Sequence, residues 1–490
     1  MVWIHRPIRS RRRTTAVLVA SVTALLLGPS VVTASAATAP VQPGLFGDQD
    51  PTYDGVFRES LGLLAYAAAG ETPPAEAVSW LLGQQCPDGG FQAFRAVTTD
   101  PCQKSDPVAY AGEDTNSSGL AAAALRAVGQ SNAADRALAW AVAAQNTDGG
   151  FPYFLGGSSD ANSTAMVLFG TNTAGRSPSS VAVGGVSAAD FLVGLQLGCE
   201  GAATDDDGGF AFQDYGSGLL DNDAASVQAV LALSGAALPV TPRAVSTSVP
   251  RADCTTGPTP APTATPAALG AGHLARVLDA FSGAVPQVDY SSGARVPGSV
   301  SAGDTAWAAM SLAAVGVGRS QLHAALGVLG AAPLTTSSVQ KAAVAAAAAA
   351  TADQPGQLAL TALAARAGGA SSATVGAYVA RLGATMRLDP AATAPSPTSS
   401  APPAASATAS PSTSTSPSPS ARATTSPTPV PGSSTPSSVS PDPETSASDL
   451  AALSDTGATS LTPVLGGLGA TLLLLGLGLV ATVRRGSAHA

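Results

Sequence analysis

The sequence predicts an all-α domain of helical hairpins set side by side in a ring, and two observations carry that expectation. One turn is written three times, as Asp88-Gly89-Gly90-Phe91, Asp148-Gly149-Gly150-Phe151 and Asp207-Gly208-Gly209-Phe210. Its phenylalanines stand 60 and then 59 residues apart, and a fixed period of that size means stacked copies of one supersecondary unit. Between the turns, segments rich in alanine, leucine and valine open on an acidic residue and close at glycine, which is the punctuation of helices.

Four such segments, 114–129, 160–175, 223–235 and 304–316, are apolar on more than one face, as suits helices buried on all sides. These are the expected inner helices, joined by a first at 54–70 and a sixth near 357–368. Their partners end at Gln85, Gln145 and Gln196; five residues earlier stand Trp80, Trp140 and Phe191, and eight earlier Ala77, Ala137 and Ala188. That spacing puts an aromatic and a small residue on one face, so these outer helices have one buried stripe. After Ala236 the register weakens through an insertion with Cys254, a Pro/Thr-rich piece at 258–266 and an alanine run at 342–350. Six hairpins closing in a ring is the expectation, with five and an irregular cap as the alternative.

The flanks are of other kinds. Residues 1–36, with five arginines, an apolar run from Ala16 to Leu27 and Ala34-Ser35-Ala36, read as a signal peptide. Residues 37–52 are an N-terminal extension and 53–389 the helical domain. Residues 390–452, almost wholly Pro, Ser, Thr and Ala, cannot bury enough surface to fold and read as an extended stalk. The apolar stretch 461–483 is long enough to span a membrane, with residues 484–490 as a basic tail on the cytoplasmic side. Just before it, in 453–460, Leu453-Ser454-Asp455-Thr456-Gly457 resembles the sortase signal of Gram-positive surface proteins, with Ser454 where the pattern has proline. Retention by the span and transfer to the wall both stay open.

The formal net charge is −9. Five of the 23 basic residues leave with the signal and two lie behind the span, leaving 16 against 32 acidic. Such a surface repels nucleic acid and anionic lipid. Four cysteines in an exported chain point to two bridges; sequence order favours Cys86 with Cys102 and Cys199 with Cys254, with free or crossed thiols as the alternative.

The runs Gln85 to Phe91 and Gln145 to Phe151, and with eight extra residues Gln196 to Phe210, resemble the glutamine-tryptophan repeat of the terpenoid cyclase and protein prenyltransferase superfamily, with Phe for Trp. The resemblance implies an α/α toroid, an α6/α6 barrel of hairpins around a central cavity. It also implies a structural role for Gln85, Phe91, Gln145, Phe151, Gln196 and Phe210.

The chemistry of that superfamily is harder to find. A cyclase's Asp-x-Asp-Asp acid has its nearest counterpart in Asp205-Asp206-Asp207-Gly208, which belongs to a turn, and aromatic residues are 4% of the chain. A prenyltransferase zinc set is not expected, because the only domain histidines, His273 and His323, fall on outer helices. Hard oxygen ligands admit calcium at Asp205, Asp206 and Asp207 with Asp214, or at Asp221 with Asp223; the alternative is solvated turns, and no other cofactor is expected. The sharper candidate is the ring of inner-helix starts, Asp114, Asp160, Asp223 and Asp304, with Ser117, Ser163, Ser226 and Trp307 three residues on. Capping alone also accounts for the aspartates. The expected function is a surface module binding a small molecule, peptide or glycan at that rim without catalysis, so that Trp307→Ala weakens capture at constant melting temperature. An enzyme acting on an isoprenoid or polysaccharide, and a purely structural wall-spanning module, are the alternatives.

Overall fold

The computed structural model describes residues 42–200, 204–254, 264–289, 292–330 and 354–387. The expected signal peptide, stalk, sorting signal, span and tail, and the alanine run 342–350, lie outside them. No helix among the described residues is long and apolar enough to cross a membrane.

Twelve α-helices are described, in two layers. The inner six are α1 (Gly55–Ala69), α3 (Thr115–Ala127), α5 (Ala161–Thr173), α7 (Asp223–Leu233), α9 (Ala302–Val315) and α11 (Pro355–Ala367). Each packs on the next, and α11 packs back on α1, so the cycle closes. The outer six are α2 (Ala75–Gln84), α4 (Ser131–Val142), α6 (Ala188–Gly194), α8 (Pro266–Ala280), α10 (Arg319–Val328) and α12 (Ser372–Ala384). Burial divides the layers as the composition predicts: α5 is buried without interruption from Ala161 to Asn172, whereas α12 buries only Val375, Val379 and Leu382. The sole strands described are three two-residue antiparallel pairs, two of which set Phe91 opposite Asp114 and Phe151 opposite Asp160.

The repeated turn has a specific job. Gln85 Nε2 donates to the carbonyls of Gly89 and Ala133 at 3.0 and 2.9 Å; Gln145 does so to Gly149 and Val181, and Gln196 to Gly208 and Pro266. Each glutamine therefore ties its turn to the segment that begins or abuts the next outer helix. The buried phenylalanine N–H then donates to a hydroxyl one turn inside the next inner helix: Phe91 to Ser118, Phe151 to Thr164 and Phe210 to Ser226. Val285 and Thr305 make the same bond in a fourth, degenerate copy.

The last turn is assembled from both ends of the domain. Arg387 N donates to Leu45 O and Gly44 N to Arg387 O, each at 2.8 Å, the bond pair that Cys86 makes with Gly89 and Gly90. Phe46 takes the phenylalanine position, its N–H bonded to Glu59 Oε2 at 3.0 Å. Residues 42–47, expected as part of an extension, thus belong to the ring. Disulfides join Cys86 to Cys102 and Cys199 to Cys254.

Candidate functional site

The inner-helix starts hold the predicted residues in two different arrangements. Asp114 caps α3, its Oδ1 accepting from Ser117 N at 2.7 Å and its Oδ2 from Ser117 Oγ at 2.8 Å. Asp160 and Ser163 repeat this at α5. Burial raises both carboxyls to about 7 against the opposing effect of those bonds.

The other two aspartates of the expected rim do not cap their helices. Asn222 caps α7 through Ala225 N, and Ser301 caps α9 through Asp304 N. Asp223 and Asp304 lie inside the first turn, because a cap residue of equal strength precedes each of them. Ser226 is likewise not a partner of Asp223; it accepts from Phe210. Trp307 is not at an open rim. It is 1% exposed and stacks on Phe169 with centroids 5.3 Å apart, since its place deep in α9 turns it into the ring.

The cluster that the fold does assemble lies at the head of α7. Arg295, from the loop before α9, donates from Nε to Asp223 Oδ2 at 2.7 Å and from Nη2 to Asp221 Oδ2 at 2.9 Å, and it reaches Asp206 Oδ1 at 3.4 Å. Beneath it His273, fully buried, brings Nε2 to 3.4 Å from Asp221 Oδ1 and 3.5 Å from Asp223 Oδ1. Neither ring nitrogen makes a hydrogen bond of normal geometry. Burial would raise Asp223, but the bonds from Arg295 and the nearby imidazole of His273 hold it below the usual carboxylate range. Burial raises Asp221, with His273 opposing. His273 would be lowered by burial, yet the two carboxylates hold it above its ordinary value. Asp221 and His273, both raised, thus face each other at 3.4 Å inside the fold.

His273 occupies a position that is aromatic elsewhere. The first turn glycines, Gly89, Gly149 and Gly208, each press on a backbone carbonyl of the next outer helix or its cap, at Arg136, Ser187 and Leu269. Four residues beyond these stand Trp140, Phe191 and His273, each over the second glycine of its turn. An imidazole thus replaces a packing ring at the repeat where two carboxylates meet it. The sequence hid this because the insertion after Ala236 breaks the count from the glutamine. It also hid the inward aim of a histidine on an outer helix.

The metal expectation changes accordingly. Asp205 pairs with Arg251, Asp207 with Arg251 and Arg276, and Asp214 accepts from Gly216 N. The four therefore do not converge. Asp206, Asp221 and His273 do offer ligand atoms within 4.8 Å of one another, a span that one divalent ion bridges. Arg295 already supplies positive charge there, and an ion would have to displace it.

The loops leading into the inner helices share one end of the ring, since the head of each of α1, α3 and α5 is bonded to the loop preceding the next inner helix: Val56 N to Ala93 O, Thr115 N to Tyr153 O, Ala161 N to Phe212 O. Of the eleven large apolar side chains exposed among the described residues, nine lie in these five loops, Tyr53, Val108 and Tyr215 among them. A cluster of Tyr110, Tyr153 and Phe154, with centroids 4.4 to 5.6 Å apart, lies on the same side. Sequence reasoning missed these rings, which recur with no period.

No protein family's sequence profile matches the chain. No curated protein matches it either. Among solved structures it is similar to ent-copalyl diphosphate synthase from Streptomyces platensis, at 17% identity and a TM-score of 0.35, over 64% of this chain and 50% of that one. The chain thus spans about half the length of that enzyme's chain. The likeness is a distant one to a terpenoid-cyclase-like helical fold, and nothing about activity rests on it.

Proposed function

We propose that this chain is an exported protein, tethered at the cell surface by its C-terminal segment, whose α6/α6 toroid holds a ligand at the end of the ring where the inner helices begin, without transforming it. The observation that carries the reading is a contrast. The inner helices are buried on every face and the Trp307–Phe169 stack lies among them, while nine of the eleven exposed large apolar side chains gather at the loops above the helix heads. Exposed apolar surface concentrated on one face is where binding is expected. Loops on a rigid scaffold are its usual carriers. Native mass spectrometry of the purified protein tests this: a co-purifying ligand should be lost from Tyr53→Ala/Tyr215→Ala at unchanged melting temperature. Retention of the ligand by that variant would remove the site.

A second reading has its own observation, the buried Asp221–His273 pair beside Asp223, which suits an acid acting on an isoprenoid or a glycan. Mass spectrometry after incubation with squalene or wall glycans separates the two. Product formation abolished by Asp223→Asn would replace binding with catalysis.

A further inference from the structure

We propose that the end of the ring where the inner helices begin is a docking surface for a basic, apolar-rich polypeptide segment, an inference that rests on the reading above that this end binds a ligand. The charge there is one-sided. In the five loops leading into α1, α3, α5, α7 and α9, nine acidic side chains are exposed, and the one exposed base is Lys104, which is paired with Asp88 at 2.5 Å. The same loops carry the exposed apolar side chains, Tyr53 at 70%, Val108 at 91% and Tyr215 at 49%. Carboxylates interleaved with rings and aliphatic groups complement a chain that alternates cations with apolar side chains. Anionic membranes and nucleic acid are repelled by this field, and a neutral glycan offers it no counter-charge.

Two further features point the same way. This end already grips a guanidinium, that of Arg295, between Asp206, Asp221 and Asp223. Below that grip, the fully buried His273 faces Asp221 Oδ1, a buried oxygen that likewise has no hydrogen bond. The polar demand at the head of α7 therefore exceeds what the described residues supply.

The test uses the full-length protein in detergent micelles, with a synthetic decapeptide alternating lysine and leucine as probe. A glutamate-leucine decapeptide and a chitin hexamer are the comparisons. The lysine peptide should bind and the glutamate peptide should not, with affinity falling at least tenfold between 50 and 300 mM salt, roughly as expected for a contact of several charges. Asp48→Asn/Asp100→Asn, which removes two exposed charges from these loops, should weaken binding about fivefold, and Val108→Ser should weaken it further. Glu71→Gln/Glu76→Gln, outside the loops, should leave it unchanged. An equal loss from that second pair would mean diffuse attraction to an acidic protein and would overturn the proposal. Capture of the chitin hexamer, sensitive to Tyr215→Ala, with no peptide binding would overturn this inference and leave the binding function standing. Capture of nothing, including no co-purifying ligand, would overturn both.

Discussion

Trp307 lies flat on Phe169, their planes within 11° of each other, although α5 and α9 are not neighbours in the cycle and α7 stands between them. The pair therefore fills the hub. Truncating Trp307 to alanine should cost about 3–5 kcal/mol and lower the melting temperature by on the order of 10 °C. A melting curve superimposable on that of the wild type would mean the hub is open after all.

The turn glycines separate two costs that are usually mixed. Gly89 has φ +110° and a Cβ there would stand 2.6 Å from Arg136 O; Gly129 has φ +81° with nothing within 4 Å. Gly129→Ala should cost only the left-handed strain, about 1 kcal/mol. Gly89→Ala should cost about twice that or more, because a backbone of α4 must also move. Urea unfolding of both variants measures the difference, and equal losses would show that the close approach is not needed.

Asp114 and Asp160 each titrate near 7 in the folded state, well above the ordinary 3.8. The folded protein then holds more protons than the unfolded chain between about pH 4 and 7, so stability falls as pH rises through that window. Each group contributes a slope of about 1.4 kcal/mol per pH unit at most. Asparagine keeps the capping oxygen, so Asp114→Asn/Asp160→Asn should flatten the profile of unfolding free energy measured from pH 4.5 to 7.5. A slope identical to that of the wild type would contradict the buried acids.

Arg295 and His273 are the cations in direct contact with Asp221 and Asp223. Arg295→Gln should destabilise the fold by about 3 kcal/mol at pH 7.5. Asp221 is the raised carboxyl of the set, so protonation relieves the charge as pH falls and the loss at pH 5 should be clearly smaller. Chemical denaturation at the two pH values decides it. An equal loss at both would assign Arg295 a packing role.

The repeats were legible because their chemistry is local: Gln85, Gly89, Gly90 and Phe91 lie within one turn, and their spacing survives in the sequence. The helix heads were legible only to within three residues, since Asn222 and Ser301, rather than Asp223 and Asp304, supply the caps. The cluster at α7 was illegible for a different reason. Asp206 and Asp221, His273, and Arg295 come from three separate segments, and only the packing of α7, α8 and α9 on one another brings them within reach of each other. Trp307 misled because its serine counterparts in the other helices, Ser117 and Ser163, face their own aspartates, whereas α9 starts three residues earlier relative to its aspartate and points the indole inward.

The sixth turn, shared between Gly44–Phe46 and Met386–Arg387, gives the wheel a seam. No ribosome can release a finished wheel before residue 387 has emerged, so the opening five spokes must wait, partly unsheltered, for the final one. The seam also lies where the proposed leader ends and the proposed tether begins. A tug on the tether would load a few backbone hydrogen bonds first, unlacing the rim there before disturbing any other spoke.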